Sequence, residues 1–164
     1  MSQEAKVYKA NIDNFSAALE NTFVSEILFD IDSNPTFDIK NIPFNFLYCN
    51  SVVLITEKGN FKITTNMSSD GVDGLWTFPI SDIDHSKKHV LIESKIKNIE
   101  VKHGIDNLPF KISLKFETKS ILFYSGEIYD NYDNTLDYKI NDEMILCFTD
   151  KNEAIIFEKL TNYG

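Results

Sequence analysis

The sequence predicts an α+β fold: a mostly antiparallel, curved β-sheet with an N-terminal and a C-terminal helix. Ile12, Phe15, Leu19 and Phe23 recur at intervals of three and four, the period of a helix. Phe110, Ile112, Leu114 and Phe116 alternate with Lys111, Ser113, Lys115 and Glu117, the period of a strand with one buried and one wet face. Near the end, Ala154, Ile156, Phe157 and Leu160 restore a helical stripe. Helix, many strands, then helix is the pattern of a sheet that buries one face against its helices.

Each element has a local reason. Asn11 stands where a cap for the first helix would fall. After Asp30 the pattern changes from helix to strand. Val52 to Ile55 and Phe61 to Thr65 flank Glu57-Lys58-Gly59-Asn60, where Gly and Asn suit the positive φ of a hairpin turn. Gly71 and Gly74 precede Trp76 and suggest a sharp turn, and Pro79 places the strand that follows at a sheet edge or a strand end. Ser120 to Tyr124 and Met144 to Phe148 are short continuous apolar runs, the mark of interior strands. Asp150 followed by Glu153 fits a capping box for the last helix.

A chain of 164 residues, 43% hydrophobic and 13% aromatic, can bury a sizeable core and is read as one domain spanning 1–164. There is no internal repeat and no Pro/Ser/Gly linker. All 16 basic side chains are lysine, against 25 acids, for a net charge of −9. Lysine replaces the bidentate arginine fork only as a point charge, so phosphate and base-edge recognition lose their best residue. The bias toward Lys, Asn, Ile and Phe also fits an AT-rich genome. A pI of about 4.7 sets the chain against a nucleic-acid backbone and an anionic membrane, so neither is expected as a partner. The N-terminus lacks the apolar core of a secretory signal, and no run approaches a membrane span. Cys49 and Cys147 each lie in an apolar run and read as reduced core residues, a buried disulfide being the less favoured alternative. A cytoplasmic protein is expected.

Reaction chemistry finds little footing. His85 and His89 are four apart, but Lys87 and Lys88 between them would repel a cation, so exposed histidines on a lysine-rich face are expected. Asp30, Asp32 and Asn34 alternate as in a calcium loop, but Pro35 and Asn41 stand where that loop needs glycine and a bidentate glutamate. The Asp130–Asp142 stretch lacks the glycine and the spacing too, so turn formation is the better account of both segments. No G-x-S-x-G elbow, P-loop or G-x-G-x-x-G is present, and neither cysteine has a histidine beside it. No catalytic residue, metal or cofactor is expected. Trp76, the single tryptophan, reads as core beside Leu75 and Phe78, with an interface anchor as the alternative.

Charge is unevenly spread: residues 1–81 carry a net −5, 82–119 a net +2 and 120–164 a net −6. Between Gly126 and Glu143 the acids Glu127, Asp130, Asp133, Asp137, Asp142 and Glu143 face only Lys139. Tyr129, Tyr132 and Tyr138 lie among them. Such a run is often only a wet hairpin that discourages edge pairing. Interleaved tyrosines tip the reading toward recognition, because tyrosine gives contact area at low entropic cost. These nine residues are the expected partner-binding set, and the partner is expected to be a basic protein.

The stretch from Ser125 to Phe148 (SGEIYDNYDNTLDYKINDEMILCF), running into the Asp150–Leu160 helix, resembles the C-terminal part of small bacterial immunity proteins of contact-dependent and type VI polymorphic toxin systems. The resemblance covers about a quarter of the chain. It implies a cytoplasmic protein that binds one cognate toxin domain and blocks it, with no chemistry and no cofactor. Those proteins share no single motif, so no residue role is carried over. Two rivals come from other classes: a phage-encoded acidic inhibitor that mimics DNA, and a curved β-sheet that encloses a small apolar ligand.

Overall fold

The computed structural model describes residues 1–32, 42–131 and 135–161. Helix α1 (Gln3–Leu19) is followed by β1 (Phe23–Ile31), β2 (Leu47–Thr56), β3 (Gly59–Met67), β4 (Asp73–Ile80), β5 (Lys88–Lys95) and β6 (Asn98–His103). Then come a short 3-10 turn, β7 (Pro109–Lys115), β8 (Ser120–Asp130), β9 (Leu136–Phe148) and α2 (Lys151–Leu160). The α+β class, the terminal helices and the curled antiparallel sheet are as the sequence predicts. No helix among the described residues is long and apolar enough to cross a membrane.

The first helix starts earlier than expected. Ser2 caps it, its Oγ accepting from Ala5 N at 3.0 Å. Asn11 lies inside the helix and serves another strand instead. Its Nδ2 donates to Thr77 O at 2.8 Å, and its Oδ1 accepts from Thr77 N and Thr77 Oγ1, each at 3.0 Å. One side-chain amide thus occupies the free edge of β4, where an unpaired strand would otherwise invite another chain. Phe23 continues the helical period in sequence but belongs to β1, because Asn21 turns the chain at φ +62°. Pro79 sits in β4, an edge strand, as its missing N–H requires.

The sheet closes on itself. β2 pairs with β1 on one edge; on the other, Val52–Thr56 pair with β3 while Leu47, Tyr48 and Cys49 pair with Cys147, Leu146 and Ile145 of β9. From β9 the order runs through β8 and β7 to β6. β5 pairs with β1 and leads into β6 through a corner at Ile96. There Asn21 N donates to Ile96 O at 2.8 Å and Ile96 N to Thr22 O at 2.9 Å, while the next amide, Lys97 N, donates to Lys115 O at 2.7 Å. The chain changes partner from β1 to β7 within one residue, which completes a ring of strands. β3 and β4 extend from β2, and α1 lies against β4 and β7.

Two apolar clusters result. Ile12, Phe15 and Leu19 of α1 join Val52, Leu54, Ile112, Phe123, Ile145 and Cys147 inside the ring. Outside it, α2 covers Leu122, Tyr124, Ile128, Leu146 and Phe148. β8 and β9 therefore have apolar neighbours on both faces, the physical reason their cores read as unbroken apolar runs. Phe157 is fully buried at the centre of the outer cluster, with ring centroids 5.0 Å from Tyr124, 5.0 Å from Phe148 and 5.1 Å from Tyr138.

Two expected faces are corrected. The stripe of α2 was expected at Ala154, Ile156, Phe157 and Leu160, but Ile156 and Leu160 are exposed and the buried line is Ala154, Phe157 and Thr161. The wet face of β7 is not wet at Lys111, which α2 covers. Its Nζ meets Glu158 Oε1 at 2.7 Å, and Tyr124 Oη donates to the same oxygen at 2.6 Å.

Candidate functional site

Strand parity sorts the acidic window. Along β8, Ile121, Phe123 and Ser125 point into the ring while Leu122, Tyr124 and Ile128 point toward α2. Glu127 and Tyr129 continue the inward row along the hairpin, opposite Lys139 and Asp137 of β9. Tyr129 is 42% exposed, so this part of the row meets solvent rather than core. Its hydroxyl donates to Glu127 Oε2 at 2.8 Å. That bond, then burial and the charges of Glu127 and Asp142, push the phenol up to about 12. Asp137 Oδ2 accepts from Asn131 Nδ2 at 2.9 Å near the hairpin end.

Tyr138 faces the other way. It pairs with Ile128, packs on Phe157 and Tyr124, and donates its hydroxyl to Ser125 O. It is a half-buried part of the outer cluster, on the opposite face from Tyr129. Tyr132 and Asp133 lie outside the described residues, as does the side chain of Asp130.

Asp142 and Glu143 belong to a wide bulge. Gly126 pairs with Ile140 and Ser125 with Ile145, so residues 141–144 have no opposite number on β8. Asn141 takes the left-handed conformation there, at φ +57°, and is buried. Its Oδ1 accepts from Ile105 N at 2.9 Å, and its Nδ2 donates to Asp73 O at 2.9 Å and Leu108 O at 3.4 Å. Opposite the bulge, Gly126 sits at φ +149°, where any Cβ would collide with the Lys139 carbonyl. Thr65 Oγ1 donates to Glu143 O and ties the bulge to β3.

This clamp brings in acids that the window does not contain. The Asp73 carboxyl is raised above its ordinary value by burial, then by Asp142 and Glu143, with Lys139 opposing them. Glu4, at the start of α1, accepts from Ser69 N at 2.9 Å and Ser69 Oγ at 2.7 Å. Tyr8, whose hydroxyl is pushed up by burial and by Glu4 and Asp73, connects that end of α1 to the group. Met67, paired across the strands with Asp73, is 66% exposed beside it.

Glu127, Tyr129, Asp137, Asp142 and Glu143 are thus joined by Asp73, and through Tyr8 by Glu4, around Lys139. Lys139 is ion-paired to Asp142 at 3.2 Å. Nothing local in the sequence marks Asp73 or Glu4; only the pairing of β3 with β4 and the bonds of Asn141 bring them here. The surface offers carboxylates and a phenol, groups that accept hydrogen bonds and attract cations.

The other sequence candidates stay apart. His85, His89 and His103 are exposed, and no three metal-binding side chains cluster among the described residues. Asp30 is paired with Lys87 at 2.9 Å. Trp76 is half-buried, edge-on to Tyr8 with centroids 5.3 Å apart. Cys49 and Cys147 are buried free thiols on neighbouring strands, and burial, with Cys49 beside it, pushes the Cys147 thiol well up. No protein-family model matches this chain, and neither the curated proteins nor the solved structures gave a match.

Proposed function

We propose that the chain is an immunity protein that binds a cognate toxin domain through its acidic, tyrosine-bearing end. The observation that carries the reading is the gathering of carboxylates from β4, β8 and β9 onto one surface, with Tyr129 exposed among them and Lys139 as the counter-charge. Toxin domains that attack nucleic acid present basic clefts, and an opposed acidic surface speeds encounter and rejects other partners. Tyr129 and Met67 supply rigid and adaptable apolar contact at its margin. The binding set under this reading is Glu127, Tyr129, Asp137, Asp142, Glu143 and Asp73, with Asp130, Tyr132 and Asp133 proposed from sequence.

The test takes a toxin domain captured with the tagged chain and follows its stopped-flow association at low salt. The triple variant Asp137→Lys, Asp142→Lys, Glu143→Lys should slow association by about tenfold or more while circular dichroism stays unchanged. An unaltered association rate would remove this surface from the interface.

A further inference from the structure

Where the sheet closes on itself, the two thiols of the chain are neighbours. β2 and β9 pair there through Leu47 with Cys147, Tyr48 with Leu146 and Cys49 with Ile145. Cys49 and Cys147 are therefore diagonal partners across the two strands. Both belong to the inner cluster and both are at 0% exposure, while Tyr48 and Leu146 between them face the outer cluster. Burial, and then the Cys49 sulfur beside it, keeps the Cys147 thiol protonated.

A disulfide needs its Cα atoms within about 6.8 Å, and diagonal partners in a sheet lie about 7–8 Å apart. Joining the two sulfurs thus takes a strand shift of about one ångström rather than a parting of the strands. The joint has slack for that shift. Pairing of β2 with β9 stops at Cys49. The next residue, Asn50, is an exposed bulge, since Ile31 pairs with Cys49 and Asp30 with Ser51. A bond made under such residual strain is of the readily reduced kind.

We propose that Cys49 and Cys147 form a reversible disulfide, a redox clasp on the joint between β2 and β9, with a low-molecular-weight disulfide such as oxidised glutathione as the oxidant.

Covered thiols react when their surroundings open. One attacks a sulfur of the oxidant and releases one glutathione thiol, leaving a mixed disulfide. Reclosing brings the second thiol to the protein sulfur of that bond. It attacks there, releases the other glutathione and completes the S–S bond. Two protein thiols are oxidised, one glutathione disulfide is reduced, and both thiol protons end on glutathione. Because the fold holds the second sulfur beside the first, the internal step outruns capture by another glutathione.

The test keeps the folded chain with oxidised glutathione in native buffer for as long as maleimide needs to label both thiols. Intact mass and peptide maps are then read. Wild type should lose two hydrogens, carry no glutathione and yield a cross-linked peptide joining Cys49 to Cys147. Dithiothreitol should restore the reduced mass. The cross-link constrains the unfolded chain over a long loop, so the oxidised protein should keep native circular dichroism and unfold at higher urea. Cys49→Ser and Cys147→Ser should each stop at the glutathione adduct. The proposal is overturned if wild type stays reduced or retains the adduct without a cross-link. It is equally overturned if the cross-linked protein loses native circular dichroism or unfolds at no higher urea than the reduced form.

Discussion

Individual side chains decide two of the interactions that shape this molecule. Glu158 lies between Lys111 and Tyr124. Burial pushes its carboxyl up, but the bonds from Lys111 and Tyr124 and the charges of Lys111 and Lys102 outweigh burial and hold it below its ordinary value. Glu158→Gln should cost about 1–2 kcal/mol by urea unfolding at neutral pH, because it takes the carboxylate away from a covered ammonium. The sign follows from the lowered value: the stabilisation is complete above the ordinary glutamate pKa of about 4.3 and is lost as pH falls through the lower folded value. The gap between wild type and variant should therefore shrink on acidification, and a gap constant with pH would rule out the ionic origin. Tyr129 gives a second test. Glu127→Gln should bring its phenol from about 12 toward the ordinary value of about 10, read by ultraviolet titration. The sequence marked Tyr129 and Tyr138 alike as contact residues; the structure separates them by strand parity. Composition shows that phenols stand among acids, but which face each takes depends on pairing with a strand that composition does not reveal.

At the scale of elements, the bulge in β9 gives the acidic surface its shape. Without it Asp142 and Glu143 would be ordinary ladder residues opposite β8 and would not meet Asp73 through the bonds of Asn141. Asn141→Ala removes the acceptor of Ile105 N and the donor to Asp73 O. It should cost about 2–3 kcal/mol in stability. It should also lower the Asp73 pKa, measured by carboxyl NMR titration, as Asp142 and Glu143 move off. An Asp73 titration unchanged in a folded Asn141→Ala protein would mean that something else sets the bulge. Local chemistry made the helices and the β2–β3 hairpin legible: Asp150 caps α2 as its sequence suggests, though Glu153 bonds to Asn45 instead of closing a capping box, and Gly59 turns at φ +113°. Asn11 misled for a physical reason. An amide that can cap a helix can equally pair with a strand edge, and the contact with Thr77 is 66 residues away in sequence. The bulge has the same character, since its bonds reach back to Asp73 and Leu108.

On the scale of the whole molecule, the ring is closed at two places, and both join segments remote in sequence. One is the corner at Ile96; the other is the pairing of Leu47–Cys49 with Ile145–Cys147. A continuous apolar run, Met144 to Phe148, identified only the β9 side of the second closure as interior; long-range pairing made the ring. Cys49 and Cys147 sit in the second closure, both at 0% exposure and both in the cluster that α1 completes. That position makes them reporters of how the ring opens. A thiol that is neutral and covered reacts only when its surroundings part, so the labelling rate measures the free energy of that opening. Three paired residues alone would part easily. Here, however, Cys147 is flanked on β9 by Leu146 and Phe148, which α2 and Phe44 cover, while Cys49 packs with the inner cluster. Parting the closure exposes both clusters together, so it should cost nearly as much as unfolding. The expected result with a maleimide under native conditions is slow labelling of both cysteines at matching rates. The free energy of opening should fall with urea along the slope of global unfolding. Fast, urea-independent labelling would instead show that β2 and β9 separate locally, leaving the ring held only at Ile96.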